Sequence, residues 1–156
     1  MQKEQRRREC IGYILILVVL SVAVYYDSRS FKIPNWLSYT SWGVGIIYSF
    51  VVAGLKGLFF SLVWILIPIA ILFLLFCFGY LGAGDIKLYS FIGSIIFSGV
   101  IKVIIISMSL CGIYALFLIV KKLVSGKLRN GFTTTHFSVF ILAGTAIYIG
   151  GVLYGI

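Results

Sequence analysis

Six stretches of this chain carry no charged residue: 10–26, 33–55, 57–84, 88–101, 103–120 and 130–156. About 20 apolar residues cross a bilayer as helix, and almost nothing polar is left between the stretches. Only 11% of the residues are charged, against about 25% in a soluble domain. These features predict an all-α polytopic membrane protein, one domain over 1–156, with about six transmembrane helices. Stretch 88–101 is short. It spans only if Lys87 and Lys102 snorkel to opposite interfaces or the bilayer thins locally.

The net charge of +9 does not point to nucleic acid. The basic residues sit at the ends of the apolar stretches, where anionic headgroups and the positive-inside rule put them. The tail Lys3, Arg6, Arg7, Arg8 followed by 11–24 resembles a secretory signal. Five further apolar stretches favour a retained first span. Cys10, Cys77 and Cys111 are isolated from one another, so no zinc ribbon or disulfide framework is indicated. One histidine and four acids are too few for a convincing metal site. No cofactor is expected, and the expected partners are membrane lipids and a protein substrate. Gly151 and Gly155 form a GxxxG, which suits a homo-oligomer contact.

Only two aspartates occur, and both lie at the edges of apolar stretches. Asp27 closes the first stretch and begins Asp27-Ser28-Arg29-Ser30-Phe31-Lys32-Ile33-Pro34-Asn35. Asp85 closes Gly82-Ala83-Gly84-Asp85 and precedes Ile86-Lys87. An ionisable group at membrane depth is costly and marks a functional site by default. The bland alternatives are a solvated interfacial acid for Asp27 and a helix cap for Asp85.

Parity places the two acids together. Two stretches separate them, so the chain crosses and returns, and both end on one face at matching depth. The loops on that face carry Arg29, Lys32, Lys87, Lys121, Lys122, Lys127 and Arg129. The other face carries Lys56 and Lys102. This bias predicts a cytoplasmic site, although the basic tail falls on the opposite side.

Two carboxylates sharing one proton can hydrolyse a peptide bond. Like charges a few ångströms apart cannot both ionise, so one member keeps a proton. The ionised member takes a proton from water, and the protonated member donates to the scissile carbonyl. Gly82 and Gly84 are expected to let the backbone turn sharply and approach a substrate closely. Pro34 disfavours helix at Ile33 and opens the second span. Lys87, two residues from Asp85, does not share its helix face and reads as a snorkelling anchor. His136 reads as a polar residue at a helix end.

Asp27, with Ile33-Pro34-Asn35-Trp36-Leu37 and Gly82-Ala83-Gly84-Asp85-Ile86-Lys87, resembles the type IV prepilin peptidases. These are polytopic aspartic proteases of prokaryotic membranes. The resemblance implies that Asp27 and Asp85 are the catalytic pair. It also implies a site on the cytoplasmic face of the inner membrane, with Gly82, Gly84, Pro34, Asn35 and Lys87 shaping it. The implied substrate is a pilin-like precursor with a short basic leader. The GxGD motif is also similar to that of presenilin and signal peptide peptidase, but no Pro-Ala-Leu motif accompanies it here. Larger prepilin peptidases carry a cysteine-bearing insert and N-methylate the new terminus. This chain has no such insert, so methylation is not expected. Many relatives open the last span with a proline-containing stretch, whereas here it reads Thr133-Thr134-Thr135-His136-Phe137-Ser138. Two other readings compete: a small proton- or cation-coupled transporter using the same acids, and a structural subunit of a secretion assembly.

Overall fold

The computed structural model describes residues 2–30, 33–124 and 136–155. Among them are five helices and no strand: α1 (Gln2–Ser30), α2 (Asn35–Cys77), α3 (Ala83–Ile96), α4 (Gly99–Val124) and α5 (Phe137–Tyr154). The protein is an all-α, multi-pass membrane protein.

Four of these helices, α1, α2, α4 and α5, are long and apolar enough to cross a bilayer, fewer than the six spans predicted. The difference has two causes. The 43-residue α2 holds both the second and the third apolar stretch. Drawn straight it would run about 65 Å, roughly twice the hydrocarbon thickness. It breaks at Gly54, whose φ of 63° and ψ of −147° lie near a region that essentially only glycine adopts. The chain then doubles back. A Cβ on Gly57 would collide with the carbonyl oxygen of Ser49, eight residues earlier, which a straight helix would hold about 12 Å away. The second cause is α3. Its 14 residues span about 21 Å, short of a bilayer crossing. The last residues of stretch 88–101 belong instead to α4, after a turn at Phe97 and Ser98.

α3 is the centre of the bundle. Leu88, Tyr89, Phe91 and Ile92 are fully buried, and both halves of α2 flank it. On the first half, Trp42 Nε1 donates to the Lys87 carbonyl oxygen at 3.0 Å and Ser49 Oγ to that of Ser94 at 2.6 Å. On the second half, Phe60 meets Phe97 and Trp64 meets Gly93. The two halves thus run in opposite directions along α3.

Lipid gives little hydrophobic drive between helices, so close backbone approach and internal hydrogen bonds must hold them. Small residues supply that approach. A Cβ on Gly45 would strike Ser94 Oγ, and one on Gly144 would strike Ser107 Oγ. Gly93 has a sharper reason. Pro68 has no N–H, which leaves the Trp64 carbonyl without its helical donor. A Cβ on Gly93 would collide with that same carbonyl oxygen, so α3 seats a glycine on the freed acceptor. The outer surface is apolar, with Val51, Leu66, Leu74, Ile105 and Leu116 among the exposed large residues. That surface suits lipid contact.

Candidate active site

The second half of α2 ends in a left-handed cap that the sequence reading did not assign. Gly79 has φ 74°. Its N–H donates to the Phe76 carbonyl at 2.9 Å, and the Tyr80 N–H donates to the Leu75 carbonyl at 3.0 Å. This is the Schellman arrangement, which stops a helix and satisfies its last acceptors. Leu81 is then buried, and Gly82 becomes the N-cap of α3 with extended φ and ψ.

Asp85 lies in the first turn of α3, outside the four membrane-length helices. Its N–H donates to the Gly82 carbonyl at 3.1 Å, and the Gly82 backbone N–H favours the charged form of its carboxylate. This is the acidic half of a capping box. A helix N-terminus favours the charged form, yet it is overruled here. Burial, and after it the charge of Asp27, push the Asp85 carboxyl up to about 7. The parity expectation is met in this respect: Asp27 and Asp85, 58 residues apart, are brought within electrostatic reach of each other.

Asp27 sits in the last turn of α1 with its side chain 13% exposed. Ser138 of α5 and His136, just before that helix, face it. Ser138 Oγ donates to Asp27 Oδ2 at 2.5 Å, and His136 Nδ1 lies 3.4 Å from the same oxygen. Ser138 is fully buried. Neither residue was singled out as functional from the sequence. His136 occupies the N-cap position of α5 but makes no side-chain cap bond. The available signal was scarcity: one histidine in the chain, at the mouth of the span that parity brings back to the aspartates.

The other predicted residues fall into two groups. Asn35 opens α2, and Lys87 Nζ donates to its Oδ1 at 2.7 Å. Lys87 also lies over the Tyr39 ring at 5.3 Å. It is therefore a strap between the starts of α2 and α3, not a snorkelling anchor. Pro34 is the N-cap of α2 and accepts from the Leu37 N–H at 3.1 Å. Gly82 and Gly84 are not in the left-handed region, so the sharp-turn argument does not apply to them; Gly79 makes that turn. A Cβ on Gly82 would lie 2.9 Å from Asp85 Oδ2. One on Gly84 would lie 3.0 to 3.3 Å from three carbons of Ile33. Gly82 thus leaves room for the carboxylate, and Gly84 lets α3 pack against the residue before Pro34. Among the described residues, no three of His, Cys, Asp and Glu come together as a metal site would need.

The fold and this site define a multi-pass membrane protein with two coupled carboxyl groups at one end of a helical bundle. A model of the type IV leader peptidase family matches residues 14–116, about two thirds of the chain, and the protein belongs to that family. The match takes in both Asp27 and Asp85. No curated protein and no solved structure matches closely enough to add to this finding.

Proposed function

We propose that this protein is an aspartic endopeptidase of the prokaryotic inner membrane. It removes short basic leaders from type IV prepilins or pilin-like precursors at the cytoplasmic face. Asp27 and Asp85 are the catalytic pair, and water is the nucleophile. The reaction ends at cleavage, without N-methylation. The observation that carries this reading is that the fold brings the buried Asp85 within electrostatic reach of Asp27. A buried acid lifted to about 7 beside a second acid is what shared-proton hydrolysis requires. The transport reading draws no comparable support, because coupling sites in transporters favour broken helices near the bilayer midplane. Here both acids lie in terminal turns of their helices.

The test is co-expression with candidate pilin-like precursors, read as a leader-sized loss of mass. Wild type should cleave, while D27N and D85N should accumulate in the membrane without cleaving. Substantial cleavage by either variant removes the pair from the mechanism. Orientation is tested separately with Ser30→Cys on a background lacking Cys10, Cys77 and Cys111. An impermeant thiol reagent should label it only after the membrane is opened. Labelling in intact cells would put the site on the wrong face.

A further inference from the structure

The surroundings of the two aspartates are unequal. Asp27 Oδ2 receives the Ser138 hydroxyl, with the His136 ring beside it. Near Asp85 the Gly82 backbone N–H favours the charged form, and burial outweighs it. Among the described residues, Asp27 of α1, Tyr89 of α3 and Cys111 of α4 lie within electrostatic reach of Asp85, and none of them brings a positive charge. Among the described residues, two cations close in sequence have other partners, Lys87 bonding Asn35 and Arg29 lying over the Tyr25 ring. A donor to a carboxylate favours its charged form, and burial without one favours the neutral form.

We propose that Ser138 and His136 are positioning residues that hold Asp27 as the ionised, water-activating member and leave Asp85 as the member carrying the proton. This rests on the endopeptidase reading above and assigns the roles within it. With Oδ2 occupied, the other oxygen of Asp27 takes a proton from water. The water oxygen adds to the scissile carbonyl carbon, and the Asp85 proton goes to the carbonyl oxygen. The C–N bond then breaks. The amine leaves with the proton held by Asp27, and one hydroxyl of the tetrahedral intermediate returns its proton to Asp85. The products are a carboxylic acid and an amine, and both aspartates are back in their starting states. The raised Asp85 carboxyl agrees with this assignment.

The experiment is the pH profile of kcat/KM for the purified, reconstituted protein. Its substrate is a synthetic peptide with a basic leader, a glycine and an apolar segment. The acid limb reports protonation of the base, and the basic limb reports loss of the proton from the acid. Ser138→Ala should lower kcat by about tenfold, the scale of one hydrogen bond to a charged group, with little change in KM. It should move the acid limb about one unit to higher pH and leave the basic limb in place. Ser138→Thr, which keeps the hydroxyl, should restore the wild-type profile. His136→Gln should move the same limb by less, because the His136 side chain is 30% exposed. If Ser138→Ala does not accumulate, Ser138→Gly and His136→Gln decide the matter. An acid limb unmoved in every variant overturns the proposal, and movement of the basic limb alone reverses the roles. A wild-type protein that cleaves nothing refutes the endopeptidase reading itself, a different signature from an unmoved profile.

Discussion

The two ends of the bundle are both polar, but they handle polarity differently. The end away from the aspartates has a cavity of about 600 Å³, lined by residues that include Glu4, Arg8, Glu9, Tyr13, Tyr48 and Tyr148. An ion pair and a tyrosine hydrogen bond are formed there. Arg8 pairs with Glu4 at 3.2 Å within the same helix, and Tyr48 OH donates to the Arg8 carbonyl at 2.6 Å. At the other end, two carboxyl groups are held within electrostatic reach of each other, and the adjacent lysine is tied to Asn35. Size and polarity alone would favour the cavity as the functional end. The electrostatics favour the aspartate end, because a buried acid beside another acid raises the free energy of the fold and persists only where surrounding structure enforces it. The proposed proteolytic chemistry is assigned to that end for this reason.

The largest effect should come from the acids themselves. D27N and D85N should each reduce cleavage by on the order of 10²- to 10⁴-fold, measured on purified variants that retain wild-type membrane yield. By contrast, Glu9→Gln at the cavity end should stay within twofold. A large loss in Glu9→Gln with retained activity in D85N would invert the comparison.

Next comes the packing that seats Asp85. Gly84→Leu should cut cleavage by roughly two orders of magnitude, since small misplacements of catalytic groups are costly on that scale. Gly84→Ala should lose less, because Ile33 need give only a few tenths of an ångström. Pairing Gly84→Ala with Ile33→Val should recover part of the loss. No recovery would mean that the glycine serves the substrate and not the helix contact.

A pH series sharpens the comparison further. With Asp85 in its proposed role as the proton-carrying member, activity should fall as pH rises through about 7. Stability follows the same group. Between its ordinary value of 3.8 and about 7, the folded protein binds this proton more tightly than the unfolded chain. Its contribution to stability therefore falls as pH rises through that window. Melting in detergent should show D85N gaining on wild type at pH 8 relative to pH 5. A constant difference would mean that Asp85 is not the displaced acid.

The smallest effect belongs to the cavity end. Tyr48→Phe removes one hydrogen bond, worth about 1 kcal/mol, and should lower the melting point slightly while leaving cleavage within twofold. A large loss of activity would tie the two ends together.

The parts of the site that the sequence revealed are those that depend on scarcity and order. Two aspartates among four acids, at stretch edges separated by an outward and a return crossing, had to share a face. Residues whose roles depend on contacts escaped it. Ser138 is one serine among many and gains meaning only from an oxygen of a residue 111 positions away. Lys87 looks like an interfacial anchor until Asn35 is found beside it. Gly79 has no motif around it, yet its left-handed backbone makes the turn that Gly82 and Gly84 were expected to make.

Composition by itself determined the solvent, and with it the helical class, because a lipid-exposed backbone must satisfy its own hydrogen bonds. The order of the apolar stretches, by parity, set the two aspartates on one common face. The number of full crossings was decided in three dimensions. Stretch 88–101 is as apolar as a span, but it is short, and its Gly93 and Ser94 pack against the two halves of α2. Whether such a segment meets lipid or protein depends on what packs against it, which hydropathy does not encode. The unequal environments of Asp27 and Asp85 were decided in the same way, because a donor's effect depends on distances of a few ångströms between helices remote in sequence.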